Sequence, residues 1–196
     1  MSFRKRGLVA AAALLVFANV GSADQITQRI EINLTSSGGL AQQSVQIPAF
    51  PSELGELQGV TFTVEQSTKS LVLLENLAEH ETHVETDVNQ VTFFNLAGLA
   101  PIAETGMNVT DIVSLGAFDG DYDWYGESGY SSATSHTEIR TYSLSPSAAW
   151  TTAGSGRRVE IEANQFAFVS FAGSGRGLAT EFSCSATATV SVTYTF

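Results

Sequence analysis

Asp119, Asp121, Asp123 and Glu127 crowd into one short segment that also holds Gly120 and Gly126. Hard oxygen ligands at alternating positions of a turn are the type that could wrap Ca²⁺, which takes six to eight oxygens. The EF-hand pattern is not met: Trp124 stands at its glycine position and Tyr130 at its bidentate acid. The competing reading is a solvated acidic loop in which Asp119-Gly120 makes a turn. Tyr122, Trp124, Tyr125 and Tyr130 lie in the same stretch. Aromatics beside carboxylates can stack on sugar rings or anchor a protein partner, or can cap the end of a core.

The remaining candidates are weaker. His80-Glu81-Thr82-His83 has two residues between its histidines, where a zincin helix needs three. In a strand His80 and His83 project to opposite faces, while His83, Glu85 and Asp87 share one, a geometry that could hold a metal but reads first as a solvent-facing polar stripe. Gly126-Glu127-Ser128-Gly129-Tyr130 misses the nucleophile-elbow spacing, because Tyr130 replaces the last glycine. His136, the nearest histidine, falls in Ser131–Thr137, which reads as a mobile loop with no orienting acid. Cys184 is the only cysteine, so no intramolecular disulfide forms, and in its alternating context it reads as a small buried hydrophobe. No catalytic residue is assigned; the expectation is a non-enzymatic chain without a cofactor, calcium excepted.

The elements that would position these residues are strands. Ile26, Ile30, Ile32 and Leu34 share one face, with Glu31 and Asn33 opposite. Val60, Phe62 and Val64 follow a turn at Pro51–Gly55. From Phe182 to Phe196 apolar residues alternate with Ser and Thr, the pattern of a long half-buried strand. Val159 and Ile161 mark another strand, and Phe166 to Phe171 reads as one buried on both faces. Between Val84 and Phe93 the apolar phase slips, which predicts a bulge near Asn89-Gln90. Asn95–Thr105, with Gly98 and Pro101, reads as a loop. The expectation is an all-β, antiparallel, jelly-roll-like β-sandwich of roughly nine to eleven strands.

Arg4, Lys5 and Arg6, the apolar run Gly7–Val20 and the small residues Gly21-Ser22-Ala23 have the three parts of a secretory signal peptide. Residues 1–23 are therefore expected to be removed, leaving residues 24–196 as a single domain. The whole chain carries a formal charge of −11, and loss of the leader makes the remainder more acidic. Such a surface repels phosphate backbones and anionic lipid, which argues against nucleic-acid partners. Ala153-Gly154-Ser155-Gly156-Arg157 and Ala172-Gly173-Ser174-Gly175-Arg176 repeat a turn motif without the Lys-Ser/Thr of a nucleotide-binding loop.

Four stretches resemble the choice-of-anchor E domain of secreted bacterial proteins. Ile47-Pro48-Ala49-Phe50-Pro51-Ser52-Glu53-Leu54-Gly55-Glu56-Leu57-Gln58-Gly59-Val60 is similar to that family's early segment. Leu115–Trp124 with Gly126-Glu127-Ser128-Gly129 is similar to its central stretch, Ala153-Gly154-Ser155-Gly156 to its late turn, and Val190–Phe196 to its closing strand. The resemblance implies a secreted, extracellular or cell-surface β-sandwich with no known catalytic activity. Family members commonly carry a C-terminal sorting tail; here the sequence ends on the last strand, which favours release or retention by another partner.

These observations lead to three expectations of function. The first is a structural or interaction module of the cell exterior or envelope, with an extracellular protein or glycan as partner and no membrane contact after leader cleavage. The second is a carbohydrate-binding or adhesive module using Tyr122–Tyr130, with or without calcium. The third is a small outer-membrane β-barrel, suggested by Phe196 behind alternating Val190, Val192 and Tyr194. A periplasmic location fits the first two as well.

Overall fold

A computed structural model of the chain describes residues 16–17, 24–96, 101–152, 158–173 and 177–196. The signal-peptide reading of residues 1–23 lies, Val16 and Phe17 apart, outside the described residues, as do most residues of the two repeated turns. The described strands are β1 (Val16–Phe17), β2 (Gln25–Ser36), β3 (Gly39–Pro48), β4 (Phe50–Pro51), β5 (Gly59–Asn76), β6 (Thr82–Leu96), β7 (Pro101–Leu115), β8 (Gly129–Leu144), β9 (Thr151–Thr152), β10 (Arg158–Gly173) and β11 (Leu178–Thr195). A 3-10 turn, Ser52–Leu54, stands where Pro51–Gly55 predicts a turn.

The long strands form two antiparallel sheets. The first has the order β1-β2-β11-β5-β8 and the second β3-β10-β6-β7; β4 and β9 make a short parallel pair. Period-two alternation explains the arrangement. On β11, Cys184, Ala186, Ala188, Val190, Val192 and Tyr194 are buried, while the Ser and Thr between them face out. Each buried Val or Leu contributes about 1.5–3 kcal/mol relative to exposure. The chain is thus an antiparallel β-sandwich. Its apolar faces turn inward between two separate sheets, the reverse of a membrane barrel's outward apolar band, so the barrel alternative does not describe this architecture.

The interior has three levels. The larger apolar cluster holds Phe62, Phe94, Ile161 and an aromatic plug in which Trp150 meets Tyr194 edge-on at 6.2 Å between ring centroids. A smaller cluster at the other end holds Val72, Leu74, Val84, Val88, Met107 and Leu115. Between them runs a polar belt. Gln66 Nε2 donates to Thr92 Oγ1 at 3.1 Å, and Thr105 Oγ1 donates to Gln66 Oε1 at 2.6 Å. Gln165 Nε2 approaches Cys184 Sγ at 3.5 Å. Gln90 Oε1 and Gln165 Oε1 find no partner among the described residues.

Four sequence readings are corrected here. Phe166 and Phe168 are 43% and 55% exposed, so Phe166–Phe171 is not buried on both faces. No bulge interrupts Asn89-Gln90: β6 pairs continuously with β10 there, and its register shift against β7 falls between Phe94 and Asn95. What inverts at Gln90 and Thr92 is the polarity of the inward positions, which belong to the belt. Asn95–Leu96 and Pro101–Thr105 are strand, not loop. Ser131–Thr137 is the middle of β8, an edge strand whose exposure explains its loop-like composition.

The free edge of β7 is covered by side chains from β8. The Tyr142 hydroxyl donates to Glu104 O at 2.8 Å and accepts from Glu104 N at 3.1 Å, and Gly106 N donates to Glu138 Oε2 at 3.1 Å. Masking unpaired backbone in this way blunts strand addition at that edge.

Burial pushes the Tyr194 phenol above its ordinary value of 10.0. The unfolded chain therefore ionises first as pH rises. The contribution is complete below pH 10.0 and is lost from there upward, by about 1.4 kcal/mol per pH unit. Urea titrations between neutral pH and pH ~11 check this, and Tyr194→Phe is expected to flatten the alkaline fall.

Candidate functional site

The connection from β7 to β8 folds back over the outer face of the first sheet. Alternation along β5 directs Glu75 toward that face, where a carboxylate ordinarily meets water. Here it is fully buried beneath the returning loop. Its Oε1 accepts from Ser128 Oγ at 2.6 Å and its Oε2 from Trp124 N at 2.8 Å. The next residue works inward: Asn76 Nδ2 donates to Gly116 O at 2.6 Å and His80 O at 2.8 Å, and its Oδ1 accepts from Ala78 N at 3.0 Å. Two adjacent side chains at the end of β5 therefore fix both the β5–β6 turn and the β7–β8 loop.

The loop is strained where it is held. Trp124 has φ 65°, a conformation that costs a non-glycine residue on the order of 1–3 kcal/mol and persists only where its surroundings impose it. Gly129 permits the fold-back, since a Cβ there would lie 2.2 Å from Tyr125 N. The outcome is an aromatic display. Tyr122 and Tyr125 are 57% and 65% exposed, and Tyr122 packs on half-buried Trp124 with ring centroids 4.9 Å apart. Tyr130 turns away, packs against the smaller core cluster and donates its hydroxyl to Asp111 Oδ2. Burial, then the Asp111 bond, raises its phenol above the ordinary range.

Two of the four loop carboxylates accept backbone hydrogen bonds within the loop. Asp119 Oδ1 accepts from Asp121 N at 3.0 Å and Asp123 Oδ1 from Tyr125 N at 2.8 Å, so both shape turns. Among the described residues no three His, Cys, Asp or Glu side chains gather as a metal ion would require. Asp119, Asp121, Asp123 and Glu127 are thus neighbours in sequence that the fold does not bring together as a ligand set. Thermal melts with calcium and with chelator are expected to superimpose; a bound ion at a hundredfold excess over Kd would add about 2.7 kcal/mol.

No family model matches the chain, and no curated protein does. Some solved structures do. The T13 particle of infectious bursal disease virus matches 85% of this chain and 35% of its own, with 10% identity and a TM-score of 0.26. The VP2 subviral particle of that virus matches 92% and 42%, with 8% identity and a TM-score of 0.28. The chain thus spans less than half the length of these capsid chains. Superpositions of that quality do not establish a common fold.

The other sequence candidates are placed apart from the loop. His83 and Glu85 are exposed on the outer face of β6 with half-buried Asp87, as the stripe predicts. His83 Nδ1 bonds Ser114 Oγ at 2.7 Å and Asp87 Oδ1 accepts from Thr110 Oγ1 at 2.6 Å, both across to β7. His136 lies on exposed β8. Glu75 and Asn76, which organise the site, are absent from the sequence candidates. The available signal was two adjacent polar residues closing a strand of otherwise regular alternation.

Proposed function

We propose that this chain is an exported, non-catalytic interaction domain of the cell exterior or envelope, and that the β7–β8 loop is one of its contact surfaces. The observation that carries the reading is the buried Glu75, which holds Trp124 in a strained backbone and presents Tyr122 and Tyr125 to solvent. A display fixed before binding loses less conformational entropy on contact, and tyrosine supplies large amphipathic area with few rotors. The export part rests on the leader-like residues 1–23 and on the resemblance to choice-of-anchor E domains. The non-catalytic part is supported by Ser128, which is fully buried with its hydroxyl donated to Glu75. Cys184 supports it too, since burial pushes its thiol up and away from the nucleophilic thiolate.

Expression of the full chain in a bacterial host tests the export reading. Mature protein outside the cytoplasm with Asp24 at its N-terminus is expected; a full-length cytoplasmic product would overturn it. Retention on washed bacterial envelopes tests the contact surface. Tyr122→Ala/Tyr125→Ala is expected to lower retention about tenfold with an unchanged circular dichroism spectrum, whereas undiminished retention removes the loop from the interface.

A further inference from the structure

The second sheet carries aromatic residues outward at the level where the interior is polar. On β10 Gln165 points in while Phe166 and Phe168 point out; on β6 Gln90 and Thr92 point in while Val91 and Phe93 face outward. Cross-strand register sets Leu40, Phe166, Val91 and Gly106 in one line across β3, β10, β6 and β7. At about 4.8 Å per strand the line is roughly 14 Å long. Leu40 is 58% exposed, and Phe93 meets Phe166 edge-on at 6.1 Å.

The line ends in a groove of about 630 Å³, within the range of small-ligand sites. Gly106 makes it possible: a Cβ there would sit 2.9 Å from Gln90 O, so no side chain fills the notch. Asn89, Asn108 and Phe168 line one part, and Glu138, Arg140 and Tyr142 of β8 another. Asn108 Nδ2 bonds Asn89 Oδ1, and Arg140 is paired with Glu138, so those two charges cancel. Among the described residues Glu104 is the only other charged one lining the groove.

We propose that this face binds a neutral polysaccharide, laid across the strands along Leu40–Phe166–Val91 with one sugar in the groove. A pyranose ring offers an apolar face to Phe166 and its apolar neighbours and a rim of hydroxyls to amides and a neutralised ion pair. A polyanion would meet Glu104 and a strongly acidic chain. A wholly apolar partner, such as a second copy docked through the same row, would cover the amides and the Glu138–Arg140 pair without matching them. The surface is separate from the β7–β8 loop and does not depend on it.

Native gel electrophoresis of the purified protein through hydroxyethylcellulose, glucomannan or soluble starch tests this, with alginate as anionic control. Retardation by at least one neutral polymer and none by alginate is expected. Phe166→Ala/Phe168→Ala, at exposed positions, is expected to weaken binding about tenfold or more, and Asn108→Ala to weaken it by a smaller factor. Mobility unchanged in every neutral gel, or retardation undiminished in the double phenylalanine variant, would overturn the proposal. So would self-association in sedimentation that the same double substitution abolishes, which would make a second copy the occupant.

Discussion

Glu75→Ala is expected to destabilise the fold by about 2–4 kcal/mol and to release the β7–β8 loop. Two effects oppose each other. Removing a buried carboxylate relieves its desolvation, but it also deletes two hydrogen bonds to that group, each worth about 1.5–3 kcal/mol. The second effect wins because the Trp124 amide is left without its acceptor while its backbone stays at φ 65°. The Ser128 hydroxyl, fully buried, loses its acceptor as well. Glu75→Gln keeps one acceptor oxygen for Trp124 and offers Ser128 a donor, so about 1 kcal/mol is expected. Urea denaturation reads the stability difference, and limited proteolysis between Gly116 and Ser128 reads the loop. A Glu75→Ala protein as stable and as resistant as the parent would mean that the loop is held by other contacts.

Trp150→Ala is expected to cost about 3–5 kcal/mol, the range for a fully buried large aromatic. Trp150 is 2% exposed, lies outside the long strands and meets Tyr194 edge-on. Its carbonyl accepts from Phe50 N at 2.9 Å, and Phe50 packs on Tyr194 and Phe196 with centroids 5.8 and 5.3 Å apart. Loss of the indole therefore loosens the β4–β9 pair together with the end of β11. The urea midpoint should fall with little change in slope, and the melting temperature by about 10 °C. A fall of under about 1 kcal/mol would show that the plug repacks. Trp150→Phe, which retains most of the ring, separates lost volume from lost anchoring.

Much of the sandwich was legible because alternation is a local signal. The β11 residues Cys184 to Tyr194 could be assigned to a face from sequence alone, and the buried Cys184 followed from its neighbours. Two of the four corrected readings share one physical cause: apolarity does not imply burial here. Phe166 and Phe168 are apolar and exposed, while Gln90, Thr92 and Gln165 are polar and buried. That inversion produced both the false bulge at Asn89-Gln90 and the false doubly buried strand. The acidic loop was found but its organiser was not. Glu75 is buried by a segment some fifty residues further along the chain, and no periodicity in β5 reports such coverage. In the groove Asn89 and Asn108 lie on different strands and meet only through tertiary pairing, whereas Glu138 and Arg140 stand two residues apart on β8.

Long strands of repetitive composition face a problem that the polar belt solves. β5 and β11 pair from Leu178 opposite Asn76 to Thr195 opposite Gly59. The inward residues of β11 include Ala186, Ala188, Val190 and Val192, small and nearly interchangeable at two-residue spacing. A slip of two residues leaves every side chain on its own face, so alternation does not forbid it. It would carry Gln66 about 7 Å from Thr92 and Thr105, leaving buried groups unpaired at about 1–3 kcal/mol each. The belt acts as a registration mark, adding little to the stability of the sandwich and selecting one alignment among several that hydrophobicity alone would accept.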